Sequence, residues 1–306
     1  MAESGKIDPM HQFAIEPLFG TDHLSLGGFN IAFTNSALYM VGAALATLSV
    51  QVASLVALAI YAGWLPELRR FRLWQRFWRA DWVAMGRVFR LGWPIGITGL
   101  AESGLFQASA LMMGWIGTVE LAAHGIAMEV AALAFMVHLG LSNAVTIRTA
   151  HADGSGDRLG MRDGALVGIA LSAVFGVAMV AVFLTVPEPI IALFLDMAKP
   201  ESAQIVAFGT VLLALAALFQ LADAMQVIAL GLLRGVQDTK VPMVLAAISY
   251  WLIGIPVSYV LAFPLGMGAV GLWLGLVVGL TVAAAALMLR FWARFRRMTF
   301  AEPAAT

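Results

Sequence analysis

No cysteine occurs in the 306 residues of the chain. That absence excludes a disulfide framework, a thiol nucleophile and any Cys-ligated metal site. Charge is also scarce. Asp, Glu, Lys and Arg make up 12% of the residues, against about 25% in an ordinary soluble domain. The 18 acidic and 18 basic residues cancel, so bulk charge implies no nucleic-acid partner. The sequence holds no G-x-x-x-x-G-K-[ST], G-x-S-x-G or H-E-x-x-H pattern, and so no signature of ATP hydrolysis or acyl transfer. His124 and His138 stand 14 residues apart without a cysteine, which matches no usual zinc ligand set. The expectation is a protein that is not an enzyme, with no catalytic residues, no resident metal and no cofactor.

What is present is apolar. Hydrophobic residues make up 61% of the chain and the mean hydropathy is +0.89. This composition defines an integral membrane protein, built of helices because each backbone polar group must be satisfied within its own segment. A helix needs roughly 20 apolar residues to cross the hydrocarbon core. Seven runs meet that length, at about 34–63, 92–116, 121–145, 164–186, 204–233, 241–263 and 267–291. Breaks such as "GSGDRLGMRDG" and "RGVQDTKVP" separate them. The predicted fold is therefore all-α, with about seven transmembrane helices.

The basic residues orient these helices. Sixteen of the 18 lie at span ends that seven alternating crossings place on one side. They include Arg87 and Arg90 before the second span, Arg148, Arg158 and Arg162 after the third, and Arg290, Arg294, Arg296 and Arg297 after the last. The positive-inside rule makes that side cytoplasmic, with the N-terminus outside and the C-terminus inside. The stretch "PELRRFRLWQRFWRADW" interleaves Arg with Trp and Phe and reads as an amphipathic linker in the headgroup layer. Residues 1–33 lack the basic n-region and apolar core of a signal peptide.

Charges inside the membrane are costly, at least about 2.5–3.5 kcal/mol for an acid at the bilayer centre, and so mark function. Three acids fall inside spans: Glu102, Glu129 and Asp223. Thr98, Glu102 and Ser109 share one helix face, with Ser103 and Gln107 beside it. Asp223 has Gln220 and Gln226 three residues to either side, which again makes one polar face. Glu129 has no acid or amide at i±3 or i±4, so a functional and a structural role stay equally open. Glu102 and Asp223 are the candidate functional acids, each against the alternative of an acid satisfied within the helix packing. Thr98, Gln107, Gln220, Gln226 and Glu129 form the candidate accessory lining. Gly271, Gly275 and Gly279 make consecutive G-x-x-x-G steps in the last span and predict a close helix approach. Pro256 interrupts the sixth span as either a fixed kink or a hinge.

Several stretches carry a resemblance. "RLGWPIGITGLAE", "ALMMGWIGTVELAAHGIAM", "FMVHLGLSNAVTIR" and "ADAMQVIALGLLRGVQDTKVPM" occur in the order and spacing of the C-terminal half of multidrug and toxic compound extrusion (MATE) transporters. The resemblance covers about 47–300. It implies a six-helix lobe at 92–297, preceded by one helix, a basic linker within 47–91 and a tail at 298–306. It also implies cation-coupled antiport, with Na+ or H+ exchanged for cationic or amphipathic small molecules across a bacterial inner membrane. Glu102 and Asp223 match the acidic positions that bind a coupling cation in one branch of the family, which implies that they are the cation-binding pair, whereas Glu129 stands where relatives often have an amide. "KIDPMHQFAIEPLF" and "FTNSALYMVGAAL" resemble instead the N-terminus of F-type ATP synthase subunit a, so 1–46 reads as a separate segment. A single lobe is expected to transport weakly or not at all unless a second lobe or a second copy supplies the other wall. The alternatives are a non-transporting membrane scaffold or fusion product, and a subunit a fragment.

Overall fold

The computed structural model describes residues 17–19, 25–26, 29–30, 33–65, 81–195 and 202–298. The arginine-rich linker, most of the first 32 residues and most of the C-terminal tail lie outside them. The chain divides into two compact units, Met1–Asp81 and Trp82–Thr306.

The first unit contains two short antiparallel pairs and one long helix. Pro17–Phe19 pairs with Phe33–Thr34, and Ser25–Leu26 pairs with Phe29–Asn30. Strands of two or three residues are too short to form a sheet layer, so the fold is all-α. Helix α1 covers Asn35–Trp64. Its apolar part, Ala44–Trp64, has the length and composition to cross a membrane.

The second unit is a helical bundle. Its helices are α2 (Trp82–Ile116), α3 (Thr118–Ser155), α4 (Arg158–Thr185), the short α5 (Pro187–Ala192), α6 (Ser202–Gly235), α7 (Lys240–Ala262) and α8 (Gly268–Arg297). Helices α1, α3, α4, α6, α7 and α8 are long and apolar enough to cross a membrane. Of the seven expected spans, six therefore meet that measure. The remaining one, α2, has 35 residues but carries Glu102, Gln107 and several hydroxyls. That polar content lowers its hydropathy.

Several helices run past the expected spans. Helix α2 starts at Trp82 rather than residue 92, and α3 runs on to Ser155 rather than 145. The apolar run measures the hydrocarbon thickness, whereas a helix continues through Arg87, Arg90 and Arg148 because their long side chains reach the headgroups. The α3–α4 break has local causes. Gly156 ends α3 in the left-handed region at φ 69°, and Asp157 caps α4 by accepting from the Gly160 N–H at 2.8 Å.

Helix α6 is the centre of the bundle. Nineteen of its 34 residues are buried, and it packs on α3, α4 and α8. The α3–α6 seam uses small residues and hydroxyls. Ser142 donates to the Val227 carbonyl at 2.7 Å, and Thr146 donates to that of Gly231 at 2.9 Å. A Cβ on Gly235 would stand 2.7 Å from that of Thr149. Such interhelical bonds contribute about 0.6 kcal/mol each, and the missing side chains allow the approach.

The G-x-x-x-G expectation holds at the α7–α8 seam. A Cβ on Gly279 would lie 2.8 Å from the Gly254 Cα, and one on Gly275 would overlap the Ser258 backbone. Ser258 donates to the Leu272 carbonyl at 3.0 Å across this contact. Helix α7 widens into a π-helix over Ile248–Gly254, with Ile255 N–H donating to the Tyr250 carbonyl. Pro256 follows at once. A proline cannot donate to the preceding turn, and the wide turn lets the helix continue past it.

Candidate functional site

Apolar packing divides the bundle into two cores. One gathers Leu105, Met113, Phe183, Phe219, Tyr250 and Trp273. The other gathers Met161, Ile228, Leu233, Leu287, Phe291 and Phe295. On α6 the polar run Gln220–Asp223–Gln226 falls between Phe219 of the first and Ile228 of the second. A carboxylate thus sits at mid-helix, walled on both sides by packed hydrocarbon.

Asp223 is 2% exposed, and Gln220 and Gln226 are fully buried. Spacing of three residues places all three on one face of α6. Glu102 enters from α2, half-buried, and acts electrostatically on Asp223. Gln226 faces the Glu102 carboxylate, although neither of its amide atoms reaches hydrogen-bond geometry. Asp223 Oδ1, both amide atoms of Gln220 and the Tyr250 hydroxyl also have no hydrogen-bond partner. Buried polar groups are normally paired. Here several side chains of donor and acceptor type converge from α2, α6 and α7 without being spent on one another.

Two members of this cluster were not singled out from the sequence. Arg234 acts on Glu102 and on Tyr250. It lies 11 residues after Asp223, close to three helical turns, and therefore on the same face of α6. Helical side chains lean toward the N-terminus, which directs the guanidinium back toward the acids. Among the described residues, neither Glu102 nor Arg234 forms an ion pair within 4.0 Å. Tyr250 is fully buried in the π-helical stretch. Trp251 next to it donates to the Ala101 carbonyl at 3.1 Å, and a Cβ on Gly104 would meet its ring at 2.7 Å. The wide turn of α7 is thereby pinned to α2 beside Glu102.

The other candidates separate clearly. Thr98 is buried one turn before Glu102, with its hydroxyl donating to the Pro94 carbonyl at 2.8 Å. Gln107 and Glu129 are exposed and stand outside the cluster. Gln107 is five residues, about 140°, around α2 from Glu102, and Glu129 is about 200° around α3 from buried Ala127. His124 and His138 are buried within the bundle. His138 Nδ1 is 2.8 Å from Ser172 Oγ, and His124 packs edge-on against Trp273 with ring centroids 5.6 Å apart. The described residues hold no group of three or more His, Cys, Asp or Glu able to bind a metal ion.

A six-helix bundle with a buried carboxylate facing a half-buried one admits several families, and a match over most of the bundle decides between them. Residues 94–260 match the family model described as MatE. The chain belongs to the MatE family. It is 46% identical over 268 residues to the probable multidrug resistance protein NorM of Rhizobium meliloti (strain 1021), covering 87% of this chain and 56% of that protein. Identity to the protein of the same name from Pseudomonas putida is 41% over 286 residues, 92% of this chain and 62% of the relative. The eukaryotic MATE transporter AtDTX14 aligns with a TM-score of 0.69 at 21% identity, over 79% of this chain and 54% of its own. An outward-facing multidrug resistance MATE family transporter of the MOP superfamily aligns with a TM-score of 0.63 at 19% identity, over 73% of this chain and 49% of its own. At such identities the structures establish the fold. The chain spans about half the length of the curated relatives it matches. This is a multi-pass membrane protein of a transporter family, not an enzyme. The matched family is one of transporters, and the matches do not favour the scaffold or ATP synthase fragment alternatives.

Proposed function

We propose that this chain forms one lobe of a cation-coupled multidrug antiporter, with Glu102 and Asp223 holding the coupling cation, Na+ or H+. The observation that carries this reading is Asp223: a carboxylate 2% exposed at the middle of α6, facing a second acid from another helix. Two like charges kept together in a low-dielectric interior gain by sharing a cation. Gln220 and Gln226 supply neutral oxygen donors at one turn to either side.

The mechanism follows from where the two acids are attached. Glu102 is on α2 and Asp223 on α6, so an ion shared between them links two helices. The conformation that brings the acids close binds the cation better, and occupancy shifts the population toward it. Neutralising the pair also removes its attraction for a cationic drug, so ion entry and drug release oppose each other. Alternating access about a midplane site would complete the cycle. The bacterial inner membrane, with the basic helix ends cytoplasmic, the N-terminus outside and the C-terminus inside, is the setting that fits.

Binding tests this without requiring transport. The purified chain in nanodiscs should bind 22Na+, or release protons when a cationic drug is added. Glu102→Gln and Asp223→Asn should each weaken that response at least about tenfold, the 1.4 kcal/mol scale of one lost charge contact, while the melting temperature holds. An unchanged response in both variants would sink the assignment.

A further inference from the structure

The basic ends of α2, α7 and α8 border two adjoining open cavities that the cation site does not use. One, of about 740 Å3, is lined by Arg290, Arg294 and Arg297 of α8. The other, of about 490 Å3, is lined by Arg87, Arg90, Lys240 and Arg294. They share Arg294 and Val241. We propose that these cavities form a binding site for an anionic phospholipid, its phosphates held by the arginines and its acyl chains lying along the groove between α7 and α8.

Three observations support this. First, charge is unbalanced. Six cations face one carboxylate, Asp238, which is buried to 7% exposure. Among the described residues, Arg87, Arg90, Lys240 and Arg297 have no acidic partner within 4.0 Å. Second, the site is organised in advance. Asp238 accepts from Arg290 Nε at 2.8 Å and stands 3.7 Å from Arg294 Nη1, while Arg294 also donates to the Val236 carbonyl at 3.3 Å. Ordering two long side chains beforehand lowers the entropy a ligand must remove on binding. Guanidinium groups are matched in shape to phosphate. Third, the first cavity has an apolar wall of Val241, Leu245, Leu289 and Ala293. Leu289 is 72% exposed on a membrane helix. A free phosphate or a soluble anion gains nothing from that wall, whereas a lipid places its chains on it. Basic pockets between transmembrane helices bind lipid headgroups in this manner. Two cavities joined at one arginine suit a headgroup with two phosphates.

The test uses the whole chain in phosphatidylcholine nanodiscs, with and without added diphosphatidylglycerol. The expected result is a higher melting temperature with the anionic lipid, and its selective retention in native mass spectrometry. Arg297→Gln and Lys240→Gln remove cations that no acid holds, so the Asp238 network is left in place. Each should lower retention roughly fivefold, the effect of about 1 kcal/mol per basic residue near a lipid surface. Equal retention of phosphatidylcholine by the unaltered chain would overturn the proposal. So would inorganic phosphate reproducing the thermal shift, or both variants retaining the anionic lipid as the unaltered chain does. None of these readouts depends on Glu102 or Asp223, so this site and the cation site stand or fall separately.

Discussion

At the scale of single residues, Arg234 sets the charge of the polar cluster. With both acids ionised, two carboxylates and one guanidinium would carry a single net negative charge, which one monovalent cation neutralises. Arg234→Gln should therefore tighten cation binding on the order of tenfold, the effect of removing about 1.4 kcal/mol of repulsion between the guanidinium and the ion. Titrating the variant with Na+ in a calorimeter checks this. Weaker binding would mean that the guanidinium positions Glu102 rather than competing with the ion. The Gln220–Asp223–Gln226 face was legible in the sequence because it repeats every three residues along one helix. Arg234 was not, since a basic residue near a span end reads equally as a headgroup anchor. Tyr250 had no signal at all. Its place beside the acids depends on which turn of α7 meets α2, and that pairing is long-range. The polarity of Gln107 and Glu129 was visible, but the helix phase that turns them outward becomes plain only once the buried faces of α2 and α3 are known.

Among the helices, the informative seam is α7 against α8. Buried positions along α7 include Pro242, Ala246, Tyr250, Gly254, Ser258 and Ala262, a strict interval of four. In an α-helix of 3.6 residues per turn that interval drifts by about 40° each time. The π-helical stretch turns more slowly and returns the later positions to the seam. The interval was present in the sequence, but without the partner helix it could not be told from ordinary variation. The glycines of α8 were readable in advance because three in register leave few alternatives. Gly275→Val should cost about 2 kcal/mol through overpacking, or roughly 4–8 °C in melting temperature. Gly140→Ala, where an added Cβ meets nothing within 4 Å, should stay within about 1 kcal/mol of the parent. Differential scanning fluorimetry in detergent separates the two, and equal shifts would argue against the close approach. Helix existence was legible throughout; helix length was not, because hydropathy measures the bilayer and not the coil that emerges from it.

For the whole molecule, the bundle has its own cores and its own two acids, and on the proposal that it is one lobe of an antiporter a transport pathway would need a second facing wall. Expressed alone in efflux-deficient cells, the 306-residue chain should leave intracellular accumulation of a cationic dye within about twofold of the vector control, a difference worth about 0.4 kcal/mol. Co-expression with a complementary lobe should lower accumulation, and efflux by a demonstrably monomeric sample would refute the expectation. The enclosure of α6 also bears on how the protein is made. Helix α6 carries its carboxylate and two amides into the bilayer after α2, α3 and α4 have been synthesised and before α7 and α8 exist. On leaving the translocon it can seal its hydroxyl-lined seam with α3, but the sides later covered by Tyr250 and by α8 still face lipid. The ribosome thus releases a helix that is inserted but not yet enclosed, and the interval until α7 and α8 arrive is when quality-control proteases would find this chain most vulnerable.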